Sequence, residues 1–169
     1  MGKWLDVKGP VIADTVYCDG VFVAKDVEFT LPEITFKTAT IQAMGDMDVP
    51  LIGLLNTMEL SITKVGIDNG FNKINSIDKH SFEFRWVQST IKSNGSSTTE
   101  GCKAFVRTLP ASTAGISVKP GDAVSTEHKY GVTRMQIYVN GKEILLVDRL
   151  SSILRVNGKN HTMAIDSYL

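Results

Sequence analysis

The 169-residue chain is short of the residues that chemistry usually needs: it holds two cysteines, three histidines and a formal net charge of zero. Cys18 and Cys102 allow one bridge at most and form no CxxC pair, so neither a disulfide framework nor a structural zinc site is expected. Both thiols are expected to be reduced, buried and incidental. His80, His128 and His161 stand far apart, in no metal-ligand spacing. There is no GxGxxG and no phosphate loop, and no cofactor is expected. No apolar run approaches the roughly 20 residues that cross a bilayer, so no membrane anchor is expected. The opening MGKWLDVKGPVIAD has no apolar stretch of signal-peptide length, which places synthesis in the cytoplasm. No block of Lys or Arg marks a nucleic-acid or membrane-surface binder.

What is present is alternation. Ile34 and Phe36 oppose Glu33, Thr35 and Lys37; Met58, Leu60 and Ile62 oppose Glu59, Ser61 and Thr63. Phe82, Phe84 and Trp86 oppose Glu83 and Arg85, and Met135, Ile137 and Val139 oppose Arg134, Gln136 and Tyr138. A period of two means strands with one buried face and one face toward water or a partner. Asp19-Gly20 sits between Thr15–Cys18 and Val21–Ala24, and reads as a tight hairpin. The tetrapeptide VNGK occurs twice, at 139–142 and 156–159, with unlike flanks, and reads as two independent turns. One internal segment has helical spacing: Phe71, Ile74 and Ile77, with Asp68 or Asn69 as the cap. A second short helix is expected after Gly158.

Three long loops are expected, Ala43–Thr57, Lys92–Glu100 and Pro110–Ser125. The first carries Met44, Met47, Val49, Leu51, Ile52, Leu54 and Leu55, which is too apolar for a loop left in water. It is expected to fold over the core or to bury itself on another chain. After Asp148 the sheet should be complete. The remaining apolar anchors, among them Ile153, Leu154, Met163, Ile165 and Leu169, then form a C-terminal arm.

No catalytic set is visible. Ser61-Ile-Thr-Lys64 and Ser89-Thr-Ile-Lys92 fit the serine–lysine spacing of some acyl-transfer enzymes, but that spacing needs a helix start and both lie in strand sequence. Asp46, Asp48 and Glu59 have no base beside them. Phe82, Phe84 and Trp86 lack basic neighbours on their face, so core is favoured over a base-stacking platform.

The order of features nevertheless resembles a known family. It runs DTVYCDGVFVAKDVEFTLPEI, then TLPEITFKTATIQ, then AMGDMDVPLIGLL, then a strand beginning MELS, and last YVNGKEILLVDRLSSILRVNGKNHTMAIDSYL. From about Asp14 to Leu169 this resembles the major tail tube protein of contractile-tailed phages and phage-tail-like bacteriocins. Residues 111–119 match nothing in that pattern. The resemblance implies one domain over 1–169, mainly β: an antiparallel β-sandwich or half-barrel with one short flanking helix, similar to the Hcp tube of type VI secretion. It implies rings of six copies stacked into a tube, with an assembly loop near 43–57 and a C-terminal arm near 150–169. The apolar residues named in those two segments become the expected contacts. Partners would be further copies of the chain, a tail sheath outside, baseplate or initiator and terminator proteins, and DNA passing through the lumen. The site would be the virion. Because phosphates bind Lys and Arg through counterion release, such a lumen should carry few basic side chains. A secretion-system tube and a soluble β-sandwich binding a small ligand are the alternatives; no enzyme is expected.

Overall fold

Two-residue turns with left-handed backbone set the register of this chain. The computed structural model describes residues 6–169; residues 1–5, the start of the segment read above for a leader, lie outside the described residues. Asp19-Gly20 closes β1 (Val7–Cys18) on β2 (Val21–Lys25), with φ of 50° and 81°. Asn140-Gly141 closes β9 (Ser125–Val139) on β10 (Lys142–Asp148), with φ of 50° and 79°. The second VNGK joins β11 (Ile153–Val156) to β12 (Lys159–Asn160) through Asn157-Gly158, with φ of 51° and 83°. Positive φ at both central positions is type I′ geometry, whose twist matches the strands it joins.

The remaining elements are β3 (Glu28–Thr30), β4 (Phe36–Gln42), β5 (Asp46–Leu55), β6 (Glu59–Val65), α1 (Asn69–Ile74), β7 (His80–Ile91), β8 (Ser97–Pro110) and α2 (Met163–Asp166). The main sheet runs β12-β11-β10-β9-β8-β7-β1-β2, with β6 added to β9 and β3 to β6. Every pairing is antiparallel, and the sheet wraps its core without closing into a barrel. The mainly-β, antiparallel architecture is thus the one expected.

Alternation places the core where the sequence pattern put it. Leu60, Ile62, Phe82, Phe84, Val106, Tyr130, Met135 and Val147 are buried in one cluster. Phe82 stacks near Phe84 at 5.8 Å and lies 5.0 Å from Tyr130, while Phe29 of β3 closes on Phe84 at 4.5 Å. The Phe82–Phe84 face is core, not a stacking platform. α1 begins at Asp68, whose carboxylate accepts the Phe71 N–H at 3.0 Å, and it buries Phe71 and Ile74. Asn75 ends the helix, so Ile77 falls beyond it and is 73% exposed.

Three expectations change. Ser97–Glu100, expected as the end of a loop, belong to β8 and pair with β7. Ala43–Thr57 is mostly strand: β5 pairs with β4 from Gln42↔Asp46 to Phe36↔Leu55 as a separate two-stranded arm, turned at Met44-Gly45. Met47, Val49 and Leu51 alternate with Asp46, Asp48 and Pro50, and β4 satisfies the backbone. Pro50 is tolerated because β5 has a free outer edge. The sheet also does not end at Asp148, since β11 pairs with β10 through Leu145↔Val156 to Asp148↔Ile153. By contrast 111–124 is irregular and largely exposed, as expected.

Beneath α1 lies a buried polar pair. Lys64 runs its stem through the core to reach the exposed Asp68 carboxylate at 3.2 Å. His128 is buried beside it, bonded to the Thr126 hydroxyl at 3.0 Å and edge-on to Phe71. Burial first, then the Lys64 charge, holds the His128 pKa below its ordinary 6.5. The unfolded chain therefore takes up this proton before the native one does. Stability contributed here is present above about pH 6.5 and is lost as pH falls through the lower native pKa. Urea melts between neutral pH and mildly acid pH should show the midpoint falling, and His128→Gln should flatten that slope.

Candidate assembly surface

The arm is amphipathic by strand parity. One of its faces carries Thr38, Thr40 and Gln42 opposite Pro50, Asp48 and Asp46, with Thr40 Oγ1 donating to Asp48 at 2.7 Å. The other carries Lys37, Ala39 and Ile41 opposite Leu51, Val49 and Met47. Ile41, which sequence reasoning left out, belongs with the apolar set because β4 brings it opposite Met47; Ile41, Met47 and the tip residue Met44 are exposed, and Val49 and Leu51 half-buried. Ile52, Gly53 and Leu54 have no partner on β4, because the register jumps from Lys37↔Leu51 to Phe36↔Leu55. Ile52 and Leu54 are exposed, whereas Leu55 and Phe36 pack against the core.

The root of the arm is fixed by backbone carbonyls. Arg149, just past β10, donates to Asn56 O at 3.2 Å and Leu55 O at 3.3 Å. Asn56 N donates to Thr35 O at 2.9 Å across the hairpin base.

The C-terminal segment comes to this same place. Thr162 is buried, donates its hydroxyl to Ser152 O at 2.6 Å, and starts α2 against the arm. Between arm root and α2 is a cleft of about 400 Å³ lined by Lys37, Leu54, Leu55, Ile153, Ile165 and Leu169, among others. The two segments singled out from sequence thus form one surface rather than two. Met163, Ile165 and Leu169 are exposed, Ile153 is half-buried, and Tyr168 beside Leu169 is exposed too. Leu154 is different: at 4% exposure it is part of the chain's own core, opposite Val147, and is not available for contact. A third apolar region was missed. The first half of β1 exposes Val7, Val11 and Ile12; Gly9-Pro10 hid it, since those residues read as a break.

The polar clusters do not assemble into a catalytic site among the described residues. Ser61 and Lys64 point to opposite faces of β6, so their SxxK spacing cannot pair them. Cys18, Asp19 and His80 do meet, with ligating atoms within 4.8 Å of one another. Each is already engaged: His80 Nδ1 contacts Asp19 Oδ2 at 3.0 Å, His80 Nε2 contacts Ser76 Oγ at 3.0 Å, and Asp19 Oδ1 accepts the Ser81 N–H at 2.9 Å. Burial raises the Asp19 pKa, but the bonds from Ser81 and His80 outweigh it and hold the carboxyl below the usual range. Burial, with Asp19 beside it, pushes the Cys18 thiol up to about 12, which leaves no thiolate nucleophile. The cluster locks the β1–β2 turn to β7. Cys18 and Cys102 are both free and buried.

An open antiparallel sheet with exposed apolar side chains along an arm, a tail and the unpaired half of β1 has the form of a self-assembling structural protein. Residues 11–167 match the family model of the phage tail tube protein FII, and the chain belongs to that family. Membership makes it a virion component that assembles into a tube with other tail proteins. No curated protein matches the chain. No helix of the described residues is long and apolar enough to cross a membrane.

The closest approach on this surface is at Gly53, where φ is 120° and an added Cβ would come within 2.8 Å of Ile165 Cδ1. Gly53→Ala should cost about 1 kcal/mol or more through the backbone alone, and should lift α2 from the arm. Limited proteolysis should then cut the tail faster than in the parent; unchanged cleavage would show that α2 does not depend on this contact.

Proposed function

We propose that the chain is the tube subunit of a contractile tail, of a phage or of a phage-tail-like bacteriocin. In this reading six copies form a ring, rings stack head to tail, and strands of neighbouring copies complete a barrel around a hollow lumen. A sheath surrounds the tube, baseplate and terminator proteins bound its ends, and DNA crosses the lumen where the particle carries any.

The observation that carries this reading is where the sheet stays unfinished. Val7 to Ala13 of β1 pair only with β7, since the β2 ladder ends at Thr15 and Asp14 O takes the Asp26 N–H. At the far side, Lys142 and Glu143 of β10 extend past the β11 ladder, beyond the bond from Asn157 N to Ile144 O. Two different open edges on one molecule favour a heterologous contact, the kind that closes rings or grows filaments. The apolar arm and tail supply burial that a lone subunit leaves in water. Size exclusion and negative-stain microscopy at high concentration test this: rings or tubes are expected, and a steady monomer would sink it in favour of a soluble ligand-binding sandwich.

Two variants separate assembly from folding. Leu51→Ser with Leu54→Ser should abolish tubes while circular dichroism and melting stay close to the parent; tubes in normal yield would remove the arm from the contact. Because β12 and Thr162 belong to the body, the informative truncation begins after Thr162. Deleting Met163–Leu169 should leave a folded, soluble chain that no longer polymerises, and long tubes from it would exclude α2 from ring contacts.

A further inference from the structure

Three unlike donors meet where the β1–β2 turn packs on β7. Cys18 Sγ lies 3.7 Å from Asp19 Oδ2, His80 Nδ1 lies 3.0 Å from the same oxygen, and all three atoms are within 4.8 Å of one another. Zinc bonds of about 2.0–2.3 Å to N, O and S at tetrahedral angles set ligand atoms about 3.3–3.6 Å apart, so small side-chain shifts bring the three into range. The outer contacts already aim each donor. Asp19 N donates to Ser81 O at 2.8 Å and Asp19 Oδ1 accepts the Ser81 N–H at 2.9 Å, which turns Oδ2 toward the cluster. Ser76 Oγ donates to Lys73 O at 3.0 Å, so it meets His80 Nε2, also at 3.0 Å, as an acceptor. Ser76 O stands 3.4 Å from the same nitrogen. Nε2 therefore carries hydrogen, and Nδ1 faces Asp19 Oδ2 with either a second proton or a bare lone pair. Oxygen acceptors on the far ring nitrogen are the usual outer partners of a metal-bound histidine.

We propose that Cys18, Asp19 and His80 bind one zinc-class divalent ion, with water in the fourth position. Cys18 and His80 are buried, but the Asp19 side chain is 35% exposed and borders a cleft of about 430 Å³ shared with Lys79, Arg107, Thr108 and Leu150, which gives ion and water a way in. The cation now at the cluster is Lys73, with Nζ 3.5 Å from Asp19 Oδ2 on a side chain 41% exposed, free to turn to water when the ion takes its place. The Cys18 proton leaves to solvent as the metal–sulfur bond forms, and so does any proton on Nδ1, so uptake strengthens as pH rises. Thiolate, imidazole and carboxylate together suit zinc over magnesium or calcium, which prefer oxygen alone. The loaded site would clamp the turn to β7 within one subunit, and it stands or falls apart from the tail-tube reading.

Cobalt(II) added to untagged, chelator-treated free subunits tests the site. A thiolate-to-cobalt band in the near ultraviolet and strong visible bands of tetrahedral cobalt are expected, saturating at about one ion per chain. Zinc should bleach both, and at about a hundredfold excess over its dissociation constant should raise the melting temperature by about 5–10 °C. Cys102→Ser should keep the ultraviolet band and Cys18→Ser should lose it. Asp19→Asn, which keeps a residue tolerant of the left-handed turn, should weaken cobalt binding by about tenfold or more. No ultraviolet band from the parent, or a band that survives in Cys18→Ser, overturns the site. If Cys18→Ser does not fold, the parent and Asp19→Asn decide, and undiminished affinity in Asp19→Asn overturns it.

Discussion

Strand β9 is the rail on which the rest of the molecule is registered. Its first half pairs with β6, its second half with β10, and β8 runs along its other side. Tyr130, Val132 and Met135 are buried from this one strand, and Tyr130 also donates its hydroxyl to Ile74 O at the end of α1. Side chains alternate with period two, so a one-residue slip of β9 would turn these residues to solvent and bring the outward row into the core. The bulge at Thr133 of β9, opposite the Arg107–Thr108 step of β8, is where the strand bends from one set of partners to the next. Bulges increase local twist, which lets a single long strand serve two parts of a wrapped sheet.

Polar groups in the interior follow from the same geometry. Lys64 falls on a core-facing position of β6 because Leu60 and Ile62 do. A buried ammonium is costly without a partner, and Asp68, the cap that precedes α1, supplies one. His80 stands likewise at the start of β7 and is met by Asp19 from a turn 61 residues away. In both places a loop carboxylate completes what the strand pattern alone would leave unsatisfied.

Much of this was legible in the sequence, and the misses share a cause. The Asp-Gly and Asn-Gly turns were readable because few residues tolerate positive φ, and the core faces because aromatic and branched residues alternate with charges. The arm was misread as a loop because Pro50, Gly45 and Gly53 punctuate it, although Met47, Val49 and Leu51 alternate with acids in plain strand fashion. Gly9-Pro10 concealed the first half of β1 in the same way. Breaker residues argue against a central strand, but an edge strand or a two-stranded arm has free backbone on one side and can accept them. Leu154 was assigned to a surface because β10 looked like the last strand; only the β10–β11 ladder, a tertiary fact, returns it to the core. The meeting of arm root with α2, and of Cys18 with His80, joins residues far apart in sequence that no local spacing reveals.

The way Arg149 holds the arm has a mechanical side. It grips two main-chain carbonyls, Leu55 and Asn56, so the arm is tethered by its backbone and not by a side chain that could swing away. Arg149 N itself bonds Thr133 O on β9, within the bulge. A pull on the arm travels through its covalent links toward β3 and β6, and Arg149 adds a second route into the longest strand of the sheet. A side-chain ion pair at the same point would weaken with rising salt; this tether, whose acceptors carry no net charge, depends less on ionic strength.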